Sequence, residues 1–447
     1  MNTPICDFVR RYAQTAPLRL HMPGHKGQGP LGCEALDITE IPGADALYEA
    51  EGVIRESEQN ASSLFGATTY FSTEGSSLAI RAMLTLAVRY ARAQKRPPVI
   101  VAGRNAHKTF LYAAAMLDAT VQWLPADPTD GYLSCRPSPA ALERYLDAAP
   151  VRPVALYLTS PDYLGHMADL AALARVCHAR NVLLLVDNAH GAYLKFLSPS
   201  RHPIDLGADA CCDSAHKTLP ALTGAAYLHI SHHAPAAFAT GAKEAMALFA
   251  STSPSYLILQ SLDALNRYLS ENYAQVLQQF LATAAALRQA LEEDGYVFCA
   301  DEPMKWTLAA KARGYTGIEL AERLAEHGIV CEFADRDYLV LMLSPTLGCD
   351  ALTRVCEVLK AQPARCAIAE MPPRPVRAPV VLTPRQALLA PNETLPIHNC
   401  IGRVLATPSV ACPPAVPILV CGEQITQEAV EAFAYYQIKA CTVVCEE

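Results

Sequence analysis

From about residue 66 to residue 230 short apolar runs alternate with stretches of helical periodicity. The runs are Gly66–Phe71, Pro98–Ala102, Val121–Leu124, Val154–Leu158, Val182–Val186 and Ala208–Cys212. Between them, Leu78–Ala93, Thr109–Asp118, Ser138–Ala148 and Leu170–Arg180 carry apolar residues at helical spacing. Consecutive parallel strands need a crossover connection, and helices of this length supply it. The pattern therefore predicts an α/β fold with a mostly parallel sheet. In such sheets the loops at the carboxyl ends of the strands bind ligands. Ser76, His107, Asp162, Asp187 and Lys217 all follow predicted strands, so they are expected to converge.

The remainder of the chain divides by composition. Residues 1–45 hold a short helix pattern, Ile5–Thr15, and the irregular His21-Met22-Pro23-Gly24-His25-Lys26-Gly27, read as an N-terminal arm. Residues 46–272 form the large domain. Residues 273–365 alternate again as a small α+β domain, and 366–447 comprise a proline-rich linker and a C-terminal α+β tail. A chain of 447 residues accommodates this number of cores. The net charge of −8 is spread along the chain without basic runs, which gives no reason to expect nucleic acid or a membrane surface. The N-terminus has no signal-peptide pattern and no apolar run reaches a membrane span, so a cytoplasmic location is expected. The 16 cysteines are scattered, with no CxxC pair and no Cys/His ligand spacing; they read as buried thiols, and no metal site is expected.

Two strand tips carry the chemistry. One strand ends in Asp187-Asn188-Ala189-His190-Gly191, and the next in Asp213-Ser214-Ala215-His216-Lys217-Thr218. Pro220 prevents a regular helix over Leu219–Gly224, so Lys217 is expected in a loop just past a strand. A lysine and a carboxylate on adjacent tips suit pyridoxal 5'-phosphate: the amine holds the aldehyde and the carboxylate keeps the pyridine nitrogen protonated. Taken singly, the lysine reads as a solvated surface charge and the Asp as a turn or helix cap; it is the combination, with the phosphate and ring-stacking candidates, that points to the cofactor. The turn Ser72-Thr73-Glu74-Gly75-Ser76-Ser77 opens the helix pattern at Leu78 and reads either as an anion site or as an ordinary helix cap. His107 sits at a strand-to-helix loop, where an imidazole either stacks on a cofactor ring or is simply solvated.

Several motifs occur in a consistent order: His21–Gly27, Ile41-Pro42-Gly43-Ala44-Asp45, Glu51-Gly52-Val53-Ile54, Asp187–Gly191, Ser214–Lys217, Thr252-Ser253-Pro254-Ser255-Tyr256 and a proline-rich tail ending in Gly422-Glu423. On these the chain resembles the bacterial ornithine/lysine/arginine decarboxylase family, pyridoxal-phosphate enzymes of the aspartate-aminotransferase fold, in a short form without the receiver-like N-terminal domain. The resemblance implies roles. Lys217 is the Schiff-base lysine, and Asp187 pairs with the pyridine nitrogen. His107 stacks on the ring, and His190 lies beside the cofactor. Gly75, Ser76, Ser77, Ser214 and His216 hold the phosphate, while Thr252 and Ser253 come from the partner subunit of a homodimer or higher homo-oligomer. The chain departs from the family at Glu74, where Asn is frequent, and at Asp162, where a neutral residue is usual. Cys412, Ala415 and Cys421 replace Tyr, Gly and Pro.

The expected reaction is α-decarboxylation of a basic L-amino acid, arginine first and lysine or ornithine next, to the amine and carbon dioxide. Glu423 is the first candidate for the substrate's distal cation, with Glu74 and Asp162 as others. Two alternatives remain at this point: an aminotransferase or other pyridoxal-phosphate lyase, and a catalytically silent homologue acting as a binding partner.

Overall fold

The structure is a computed structural model that describes residues 1–124, 135–375, 378–411 and 417–446; the altered tail positions Cys412 and Ala415 lie outside the described residues. In chain order the elements begin with α1 (Pro4–Gln14), α2 (Val53–Phe65), β1 (Thr68–Ser72), α3 (Gly75–Ala93), β2 (Val99–Ala102), α4 (Lys108–Leu117), β3 (Thr120–Trp123), α5 (Pro139–Ala148), β4 (Ala155–Thr159) and α6 (Leu170–His178). They continue with β5 (Leu183–Asp187), β6 (Ala210–Asp213), α7 (Ala215–Thr218), β7 (Ala226–Ile230), α8 (Ala236–Ala247), α9 (Tyr256–Ser270) and α10 (Tyr273–Glu293). The last part comprises β8 (Lys305–Ala309), α11 (Gly317–Glu326), β9 (Phe333–Ala334), β10 (Tyr338–Met342), α12 (Cys349–Lys360), α13 (Pro384–Leu389), β11 (Asn392–Pro396), β12 (Ser409–Ala411), β13 (Pro417–Val420), α14 (Gln427–Tyr435) and β14 (Ala440–Val444).

The chain forms two compact units, each assembled from two segments: Met1–Gln94 with Leu183–Val276, and Lys95–Val182 with Leu277–Glu447. In the first, the strands run in the order β1-β7-β6-β5. β5 and β6 are parallel, with Leu185 opposite Ala210 and Asp187 opposite Cys212. β7 is antiparallel to both β6 and β1. Leu184, Leu185, Val186, Cys211 and Cys212 have no exposed surface. Both faces of these strands are covered, which is why the runs are continuously apolar rather than alternating. α3 packs on β6 and β7 and against α8, while α2 packs on β1 and α9.

In the second unit β4, β2 and β3 form a parallel set. β8, β10 and β9 make a small antiparallel sheet, with α11 packed on β9 and β10 and α12 packed against α11. The tail pairs β11 with β14 and β12 with β13. Its core of Cys400, Leu405, Ile418, Leu419, Phe433 and Val443 is continuous with Leu164 and Val340. The class is thus α/β with a mostly parallel sheet, together with smaller α+β parts. Among the described residues, no helix is long and apolar enough to cross a membrane.

One local feature differs from expectation. Lys217 lies in a single helical turn, α7, not in a loop. Leu219 ends that turn in an extended conformation (φ −119°, ψ 156°), as a residue before proline must.

The start of α2 shows how a distant side chain makes a helix. Gly52, at its N-cap, has no side chain to offer. Asp45 supplies the cap from outside: its carboxylate accepts the backbone N–H groups of Ala46, Glu51, Gly52, Ile54 and Arg55. Burial pushes this carboxyl up, but the backbone donors outweigh it and hold it below its ordinary value. Its stabilising contribution is therefore present above the unfolded carboxylate pKa and is lost as pH falls through the folded one. Asp45→Asn keeps the left-handed backbone (φ 72°) accessible. The variant is expected to lose about 1–2 kcal/mol near neutral pH, read from the urea midpoint, and the gap from the wild type is expected to close below about pH 4.

Candidate active site

The first unit brings most of the expected residues to one edge. Asp187 is the last residue of β5 and is 3% exposed. Its Oδ1 accepts the Ala189 N–H at 3.2 Å and the Cys212 thiol at 3.5 Å. Burial pushes the Cys212 thiol well up, with the Asp187 carboxylate adding to the effect, so the thiol is a neutral donor. One strand over, α7 carries Lys217, whose Nζ lies 3.2 Å from His190 Nε2. His190 is buried, whereas Lys217 is exposed. The amine thus stands at the surface with an imidazole at hydrogen-bond distance and a buried carboxylate on the neighbouring strand tip.

A second cluster forms where β6 ends and α3 begins. Ser214 donates to Ser76 at 2.8 Å, joining the loop before Lys217 to the first turn of α3. Gly75 takes a left-handed φ of +70°, and no atom lies within 4 Å of the place its Cβ would occupy. The backbone there faces open space, and Ser76 and Ser77 complete a helix N-terminus whose dipole favours an anion. His216 donates through Nδ1 to the Ala225 carbonyl at 2.8 Å. Burial first, and the Lys217 charge after it, lower the His216 pKa. Glu74, the residue out of place beside a phosphate, turns its carboxylate to the Ser251 N–H at 2.8 Å. It thereby anchors the exposed loop that carries Thr252 and Ser253.

His107, Asp162 and Glu423 belong to the second unit. His107 caps α4, with Nδ1 2.9 Å from Thr109 Oγ1. Asp162 is buried and takes both the N–H and Nδ1 of His166. Glu423, expected to receive the substrate's distal cation, has another partner. Arg104 meets it with two parallel bonds, Nη1 to Oε1 at 2.7 Å and Nη2 to Oε2 at 2.6 Å. Oε2 also accepts the Val420 N–H, and the guanidinium lies over the Trp123 ring, 5.2 Å from its centroid. The bidentate pair fastens the tail to the end of β2.

Sequence reasoning missed the environment of Asp213. This residue has no exposed surface and is surrounded by Asn188, His202 and His229. The ligand atoms of His202, Cys211 and Asp213 lie within 4.8 Å of one another. No ligand-type spacing marks these residues in the sequence. Only the unusual carboxylate directly before Ser214 was available as a signal.

The Arg104–Glu423 pair is also testable. The side chains are 15% and 5% exposed. Arg104→Ala strands a buried carboxylate, and a loss of roughly 3–5 kcal/mol is expected in the chemical unfolding of the second unit.

Comparison with known proteins follows the same lines. The sequence model of "Orn/Lys/Arg decarboxylase, major domain" matches residues 3–305, and that of the C-terminal domain matches residues 373–442. The arginine decarboxylase of Halalkalibacterium halodurans is 30% identical over 95% of this chain and 91% of its own length. Among solved structures, the constitutive lysine decarboxylase of E. coli superposes with a TM-score of 0.76 at 18% identity, covering 99% of this chain and 82% of that one. The lysine decarboxylase of Francisella novicida gives 0.79 at 16%, covering 99% and 81%. The matched segments contain the lysine turn, the Asp187 strand and the tail that holds Glu423, and on them the chain belongs to the Orn/Lys/Arg decarboxylase family.

Proposed function

We propose that this protein removes the α-carboxyl group of a basic L-amino acid, arginine first and lysine or ornithine next, with pyridoxal 5'-phosphate held on Lys217. The observation that carries the reading is the exposed Lys217 amine, 3.2 Å from His190 Nε2 and one strand away from the buried Asp187. The residues fit that group by their chemistry. An amine is available for its aldehyde and a buried carboxylate for its ring nitrogen. Joined hydroxyls at a helix N-terminus, with open space over Gly75, suit its phosphate. Arginine is placed first because curated relatives that align over most of this chain are named arginine decarboxylases.

When bound, the cofactor supplies an electron sink for the pair left behind as carbon dioxide departs. The chain's own residues do the rest. Lys217 would hold the aldehyde through its Nζ, Asp187 would keep a proton on the ring nitrogen, and Ser76, Ser77, Ser214 and His216 would hold the phosphate. The proton that replaces the carboxylate at the α-carbon comes from Lys217 Nζ or His190 Nε2, which lie close enough to exchange it. A homodimer or higher homo-oligomer, with Thr252 and Ser253 of the partner subunit beside the phosphate, completes the reading.

The test is release of amine and carbon dioxide by cofactor-loaded protein given arginine, lysine and ornithine separately. One substrate, arginine first, is expected to be turned over stoichiometrically. Lys217→Ala is expected to give no release above background while keeping its unfolding midpoint. Consumption of 2-oxoglutarate without carbon dioxide release would replace the decarboxylase with an aminotransferase.

A further inference from the structure

Asp213 sits at the end of β6, immediately before Ser214 and close in sequence to Lys217. It is fully buried, and a carboxylate in that position is costly unless its oxygens are satisfied. They are. Oδ1 accepts Asn188 Nδ2 at 2.6 Å. Oδ2 faces His202 Nε2 at 3.1 Å and His229 Nε2 at 3.2 Å. With its Nε2–H committed to Asp213, a neutral His229 has its lone pair at Nδ1, where Thr69 Oγ1 stands 2.9 Å away. Burial alone would raise the Asp213 carboxyl, but the imidazoles of His202 and His229 hold it well below the usual carboxylate range. Burial lowers His229, which favours its neutral, single-donor form.

These bonds make one polar chain across the sheet. Thr69 is on β1, His229 on β7, Asp213 at the end of β6, and Asn188 just beyond β5. The ladder already pairs the backbones; the side chains tie the same strands a second time, near the edge where Asp187 and Lys217 stand. Asn188 then fixes its own turn. Its N–H donates to the Cys212 carbonyl, and its carbonyl accepts the Gly191 N–H. A Cβ at Gly191 would come 2.0 Å from Asn188 Oδ1, so the glycine is what lets the amide lie there. Between Asn188 and Gly191 is His190, the residue that faces Lys217 Nζ.

We propose that Asp213 is a positioning residue of the lysine site: by gripping Asn188 on one oxygen and the two buried histidines on the other, it sets the turn that carries Asp187 and His190 against the turn that carries Lys217. The proposal rests on the reading of Lys217 as the cofactor lysine. It also explains a carboxylate where nothing in the reaction touches it.

Three substitutions separate positioning from general support. Asp213→Asn removes the charge and sets an NH2 group toward Asn188. Asn188→Ala frees the turn but leaves both histidines on Asp213. Thr69→Ala cuts the far end of the same chain. Each is measured for unfolding midpoint, for pyridoxal 5'-phosphate dissociation, and for the position and pH midpoint of the absorbance band of the lysine-bound cofactor. Asp213→Asn and Asn188→Ala are expected to weaken cofactor retention about tenfold or more and to shift the pH midpoint. Thr69→Ala, with a comparable change in stability, is expected to do neither. If all three shift cofactor affinity only in step with stability, the positioning role is overturned while the function stands. If the wild type shows no lysine-bound band, both fall. Stoichiometric transition metal in the wild-type protein would also overturn the proposal, because Asp213, His202 and Cys211 would then serve an ion.

Discussion

Asp187 lies opposite Cys212 in the parallel ladder between β5 and β6, and the chemistry of the first unit depends on that register. Side chains alternate along a strand, so a slip of one residue would send Asp187 to the other face and bring its neighbour in. The register is held by burial on both faces: Leu184, Leu185, Val186, Cys211 and Cys212 are all without exposed surface. Each buried aliphatic side chain contributes roughly 1.5–3 kcal/mol, so moving a polar residue into such a strand costs more than a surface contact returns. A rigid ladder then presents two adjacent tips at a fixed spacing. One carries a carboxylate and the other an amine.

The molecule satisfies its carboxylates by a common rule. Asp45 is met by five backbone donors, Asp213 by an amide and two imidazoles, and Glu423 by a guanidinium and a backbone N–H. Glu58 follows it too, with Lys243 Nζ at 2.6 Å and the Phe71 N–H at 2.9 Å. Glu58, Asp213 and Glu423 tie together separate elements, whereas Asp45 organises the start of the helix that follows it, and each is stabilised by charge-assisted bonds that would be costly to leave unmade. Asp187 accepts the Ala189 N–H and the neutral Cys212 thiol at the tip of β5.

Much of this was legible in the sequence because strands, crossover helices and strand-tip residues leave local signals. The alternation from residue 66 to 230, the Asp187 tip and the Lys217 tip were all readable from spacing and residue type. What escaped was long-range. Glu423 and Arg104 are 319 residues apart, and no local pattern joins them. Glu74 looked like a misplaced charge beside an anion site until its carboxylate was seen to reach Ser251, 177 residues away. His202 and His229 lie 11 and 16 residues from Asp213, at spacings that match no ligand motif. The helical turn of Lys217 was missed for the opposite reason: four residues between a strand and the approach to a proline are too few to show a period.

The most direct test of the central claim is chemical. The purified protein is loaded with pyridoxal 5'-phosphate, reduced with borohydride, digested and weighed by mass spectrometry. The prediction is a single reduced adduct on the peptide that contains Lys217, formed in stoichiometric amount and absent when arginine is turned over before reduction. An adduct spread over surface lysines, or none on the Lys217 peptide, would contradict the assignment of this amine and with it the reading of the site.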